Sequence, residues 1–158
     1  MQETVVTAIE AMLTPAIGIS AVGLLLLSLS NRYSSIINRL RLLNDEKRRF
    51  SRQLVEQGNL GDADNARFIS IAKQTDELLA RSRYVRNAIL SMQTAIGLFV
   101  LTSVTIALNL FSSADILKLV PLVMFITGML AVFVGILFAG VEIYRSYTIV
   151  LIEARGVE

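Results

Sequence analysis

The chain has 158 residues, 54% hydrophobic and 18% charged, with a formal net charge of +2. A soluble domain carries roughly 45–50% apolar and about 25% charged residues; here the apolar excess is gathered into three long uncharged stretches, the signature of a membrane protein. His, Cys and Trp are absent, which removes imidazole acid–base catalysis, thiol nucleophiles, Cys/His zinc sites, haem ligation and disulfides.

The first uncharged stretch, residues 11–31, follows Glu3 and Glu10, and the first basic residue, Arg32, comes after it. A signal peptide has the opposite order, with a positive region ahead of the apolar run, so this stretch reads as a retained helix. Thr14-Pro15 suits an N-cap followed by proline in the first turn, where its missing N–H costs nothing. The first membrane helix is therefore predicted over 15–31, with 1–14 as an outer N-terminal segment. Val5, Val6, Ile9, Met12 and Leu13 recur at helical spacing. Two readings of 3–13 stand: a separate amphipathic helix in the interface, or one helix continuous through Pro15.

Residues 32–86 hold 12 of the 15 basic and 7 of the 13 acidic residues, a net +5 against −3 for the rest of the chain. A basic loop of this length belongs in the cytoplasm. Three crossings then place the N-terminus and the 112–118 loop outside and the 142–158 tail inside. The segment Gly58-Asn59-Leu60-Gly61-Asp62 is a turn dividing it into arms 32–57 and 62–86, free of proline and glycine and rich in helix formers. Matched arms around a tight turn predict an antiparallel helical hairpin projecting about 35–40 Å. Ile36, Leu40, Leu43, Lys47, Phe50 and Leu54 on one arm, and Phe68, Ile71, Thr75, Leu78, Ser82, Val85 and Ile89 on the other, form heptad seams. No breaker separates arms from spans, so two long helices are expected, over about 15–57 and 62–111. Asp62-Ala63-Asp64-Asn65 reads as helix capping rather than a calcium loop, because the later ligands of such a loop are missing. Lys47, Arg48, Arg49 and Arg52 adjoin Asp45 and Glu46 without interleaved aromatics. They read as a solvated helix face, and no nucleic-acid partner is expected.

The run Leu13-Thr14-Pro15-Ala16-Ile17-Gly18-Ile19-Ser20-Ala21, with Leu24–Leu27, Asn31-Arg32 and Asn38-Arg39-Leu40-Arg41, resembles the bacterial membrane family known as domain of unknown function 2721. The resemblance extends over essentially the whole chain. It implies three spans with a basic segment after the first, and carries no activity to transfer.

The second span is predicted over 87–111. Ser91, Ala95, Leu98, Thr102, Thr105 and Asn109 fall on one helix face, as inter-helix packing or as a pore lining shared between subunits. In the third span, 119–141, Thr127, Ala131, Gly135 and Ala139 recur every four residues, a pattern that permits close helix approach. Thr127 also joins the candidate pore-lining set, and Gly128 and Gly140 are candidate bend points. Glu142, at the inner end of that span, is expected to form an interfacial ion pair with Arg145, Arg32 and Arg86. Tyr33, Tyr84, Tyr144 and Tyr147 fall near the same interface, where tyrosine is enriched.

The expected fold class is therefore an all-α membrane protein of three transmembrane helices, the first two extended into a cytoplasmic antiparallel hairpin. No enzyme activity, cofactor or metal is expected. The order of spans is similar to that of the ExbB/TolQ/MotA stator proteins, a likeness of arrangement alone. The leading expectation is a homo-oligomeric inner-membrane protein, channel-like or stator-like. The alternatives are a membrane-anchored scaffold whose hairpin docks a cytosolic protein, or an accessory subunit of a transporter.

Overall fold

A computed structural model of the chain consists of three α-helices: α1 (Gln2–Gln57), α2 (Asp62–Asn109) and α3 (Ile116–Arg155). The structure describes residues 2–57, 62–109 and 116–155, and the side-chain surroundings of 6–7, 9–53, 64–109 and 119–144. The expected turn at 58–61 and most of the 112–118 loop lie outside the described residues, as do the side chains of Leu54, Asp62, Arg145 and Tyr147. Among the described residues the chain is all helical, and each helix holds a segment long and apolar enough to cross a membrane.

Helix α1, at 56 residues, is about 85 Å long, far more than the roughly 30 Å of a bilayer's hydrocarbon core. It starts at Gln2 and passes through Pro15, so residues 3–13 belong to the same helix. Pro15 is fully buried; a proline inside such a helix is tolerated where neighbouring protein covers it.

Helices α1 and α2 pair antiparallel. Glu46 meets Arg67 near one end and Gly18 meets Phe99 near the other. The buried positions repeat every seven residues on both partners: Val22, Leu29, Ile36 and Leu43 on α1, and Ile71, Leu78, Val85, Met92 and Phe99 on α2. Ile19, Leu26, Tyr33 and Leu40 pack beside the first set, and Ile89 and Ile96 beside the second. A seven-residue spacing keeps one stripe of each helix against its partner over a long distance. The seam expected in the charged arms thus continues without a break through the apolar half, as far as Val22 and Phe99.

Helix α3 lies antiparallel along α2 and barely touches α1, which makes α2 the central helix. It packs on a second column of α2, where Ala88, Ala95 and Thr102 are buried, again seven residues apart. A Cβ on Gly135 would lie 3.1 Å from Met92 Cγ and 3.3 Å from the Ala88 carbonyl oxygen. At Gly135 the two backbones are in close approach, which only a residue without a side chain permits. The outer face of α3 exposes Leu130, Phe133, Ile136 and Leu137, a surface suited to lipid and unsuited to water.

Candidate functional site

All three helices meet in one polar layer. The Glu142 carboxylate of α3 is 5% exposed and accepts from Arg81 Nη2 of α2 at 2.8 Å. Its other oxygen lies 3.5 Å from Arg32 Nη1 of α1, a guanidinium that is half exposed. Sequence position offers the acid three partners, Arg32, Arg86 and Arg145. Of those expected, Arg32 is present in the layer, the Arg145 side chain lies outside the described residues, and Arg86 is on an exposed face of α2. Arg81, absent from the expected set, makes the shortest contact. Five residues along a helix turn a side chain by about 140°, so Arg81 and Arg86 cannot serve the same neighbour. Arg81 stands seven residues before Ala88, in the column that faces α3. That column is the signal that identifies it.

One carboxylate against two guanidinium groups leaves the layer net positive, and Arg81 Nε is buried without a hydrogen-bond partner among the described residues. Removing the acid from such an arrangement strands buried charge, which is costly. The layer can therefore hold the three helices at one relative depth and rotation. It is a clamp in form.

The polar stripe of the second span faces α3. Thr102 is 2% exposed, and its Oγ1 donates to the Leu98 carbonyl at 2.8 Å. Thr105 Oγ1 donates to the Leu101 carbonyl at 2.7 Å and lies 3.8 Å from Met124 Sδ on α3. Leu98 Cβ would be 3.4 Å from a Cβ on Gly128. Ser91 and Asn109 are half-buried. Thr127, on α3, is exposed, with its hydroxyl on the Val123 carbonyl. The hydroxyls of Thr102, Thr105 and Thr127 thus all bond a carbonyl four residues back in their own helix, which satisfies them without water.

Within the small-residue stripe of α3, Gly135 is buried against α2, and Ala131 and Ala139 are half-buried. Gly128 makes room for an aromatic ring. A Cβ there would fall 2.7 Å from Phe99 Cε1, and one on Gly18 would fall 3.1 Å from Phe99 Cε2. Phe99 thus sits between a glycine of α1 and a glycine of α3, 1% exposed, with its ring centroid 5.4 Å from that of Phe125. Sequence periodicity could not single out Phe99, one apolar residue among many in its span.

In the charged half, Arg67 donates from Nε and Nη2 to the two Glu46 oxygens at 2.9 and 3.3 Å. The hydrogen bond, and then the charge of Glu46, raise the Arg67 guanidinium above its ordinary pKa. Lys47 Nζ stands 6.0 Å from the Phe68 ring centroid, at the outer limit of a cation–π contact. Arg48, Arg49 and Arg52 are exposed.

These features carry no hallmark of a particular reaction. They describe a class, that of helical proteins with three membrane-span-like segments. The chain matches the family model described as "Protein of unknown function (DUF2721)" over residues 12–152 and belongs to that family. No curated protein and no solved structure matches it.

Proposed function

We propose that the protein is a membrane-anchored helical scaffold of the bacterial cytoplasmic membrane, with its N-terminus outside and its charged α1–α2 hairpin in the cytosol. On this reading the hairpin docks a cytosolic protein partner. The observation that carries it is the unbroken buried seam from Val22 and Phe99 to Leu43 and Ile71. A seam shared by both halves makes the projecting arms a stiff extension of the membrane anchor. The basic excess of residues 32–86 supports the orientation, and the projecting half exposes Leu42 and Ile69, apolar side chains available to a partner.

The test is site-specific photo-crosslinking from Leu42 and Ile69 in the full chain in intact cells. Adducts to a cytosolic protein are expected at these positions and not at Leu137 on the outer face of α3. Adducts only to lipid or to the chain itself would sink the scaffold reading.

A second reading is a homo-oligomeric, channel-like assembly. It is favoured by the exposed Thr127 and Thr94 in the apolar half: their hydroxyls donate to the Val123 and Leu90 carbonyls and keep acceptor lone pairs that a neighbouring copy or water can use. Ion flux into liposomes holding the purified protein, diminished by Thr127→Leu, would support it; absence of flux counts against conduction. The role of accessory subunit to a transporter has no observation in its favour beyond the spans themselves.

A further inference from the structure

The glycines within the helices fall into two groups. Gly18, Gly128 and Gly135 are filled by the chain's own residues, Phe99 for the first two and Met92 with Ala88 for the third. A Cβ on Gly23 or Gly97 would meet nothing within 4 Å. Gly140 of α3 is open in the same way; Gly23 and Gly97, the open glycines of α1 and α2, lie on the flank of the α1–α2 pair that α3 leaves uncovered. On α2, α3 covers the column of Ala88, Ala95 and Thr102, whereas Arg86, Gln93 and Val100 form an exposed column on the opposite side of the seam.

Gln93 is the decisive residue of that flank. It is exposed and makes no hydrogen bond among the described residues. It lies twelve residues beyond Arg81 on α2, about 18 Å along the axis and thus well inside roughly 30 Å of hydrocarbon when the Glu142 layer marks the interface. Even measured from Arg86 it is about 10 Å in. Acyl chains offer an amide neither donor nor acceptor, and polar groups at that depth face protein or a water-filled cavity. Ser20 of α1 is level with Gln93 across the antiparallel pair, but its hydroxyl bonds the Ala16 carbonyl at 3.2 Å.

We infer that this flank is the contact surface for a second copy of the chain, with Gln93 of each copy hydrogen-bonded to Gln93 of the other. The occupant follows from the chemistry. A primary amide is both donor and acceptor, so it is complementary to itself. Two copies inserted with the same topology carry Gln93 at the same depth, and a two-fold axis along the membrane normal brings the two amides together. The open Gly23 and Gly97 then allow the helices to approach closely. The inference rests on the self-association part of the second reading above and is independent of conduction and of the cytosolic partner.

The chain has no cysteine, so single introduced cysteines report contacts directly. In membranes holding the full chain, Gln93→Cys and Gly97→Cys are expected to form a disulfide-linked dimer on mild oxidation, and Leu137→Cys on α3 is not. Cysteine replaces the amide in the first variant, so a second measurement keeps the amide's role in view: dimer fraction by single-molecule photobleaching in dilute liposomes. Gln93→Leu, well tolerated by lipid, is expected to weaken association about five- to thirtyfold, the worth of an inter-helix hydrogen bond of about 1–2 kcal/mol, and Gln93→Asn to retain most of it. Dimers that cross-link through Leu137→Cys instead, or that are indifferent to Gln93→Leu, overturn this surface while leaving self-association standing. Single-copy particles at every protein density overturn both.

Discussion

The α1–α2 pair has two halves that solve the same packing problem with different chemistry. In the apolar half the helices lock through shape: Phe99 sits between Gly18 and Gly128, Met92 lies over Gly135, and the threonine hydroxyls are satisfied by their own backbones. In the charged half, Leu43, Ile71 and Leu78 are buried beside Lys47, Thr75 and Ser82, and the rim carries the Glu46–Arg67 pair. Lipid tails are as apolar as leucine, so close fit must supply what hydrophobic burial supplies in water. The Arg32–Arg81–Glu142 layer stands where the two regimes meet, on a seam whose seven-residue repeat does not change.

The largest test of this contrast is Phe99→Ala, which empties the space between two glycines. It is expected to destabilise the chain by about 3–5 kcal/mol, measured by thermal unfolding in detergent or by resistance to forced unfolding in a bilayer. Glu142→Gln should come next. Breaking a buried ion pair costs about 3–5 kcal/mol, reduced to roughly 2–3 here by the exposure of Arg32 and, in part, Arg81. Glu142→Asp, too short to span both arginines, should fall between Glu142→Gln and wild type.

Glycine substitutions sharpen the comparison within α3 itself. Gly128→Ala forces the Phe99 ring to move and should lower Tm by the equivalent of about 1–2 kcal/mol. Gly140→Ala meets nothing within 4 Å and should raise stability by about 0.5–1 kcal/mol through helix propensity. Equal effects at the two positions would refute packing by shape. The smallest effect belongs to Arg67→Ala in the charged half. Its loss should be detectable only at low salt and vanish at high salt, since an exposed pair is screened.

The legibility of these features follows solvent. In the charged arms, one face of each helix meets water and the other its partner, so Ile36, Leu43, Ile71, Leu78 and Val85 stand out at heptad spacing. Past Arg32 and Arg86 the outward face is apolar too. Val22, Leu29, Met92 and Phe99 therefore cannot be told from Leu24, Leu27, Leu90 or Leu101 by hydropathy. The stripe containing Thr102 and Thr105 was legible because its members are polar, but which helix it faces was not. Glu142 was legible as the acid nearest the inner end of the third span. Its partner Arg81 depends on the register of α2 against α3, and neighbourhood in the sequence favoured Arg86.

By itself the sequence determined three helices, their capacity to cross a membrane and the concentration of positive charge between the first two. Those follow from composition and length, because roughly 30 Å of hydrocarbon demands about 20 apolar residues. Only the tertiary structure decided that α2 is central, that Phe99 occupies a pair of glycines and that Arg81 reaches Glu142. Each of these depends on the rotation and axial offset of one helix against another, and in an apolar solvent no difference between inside and outside residues records that rotation in advance.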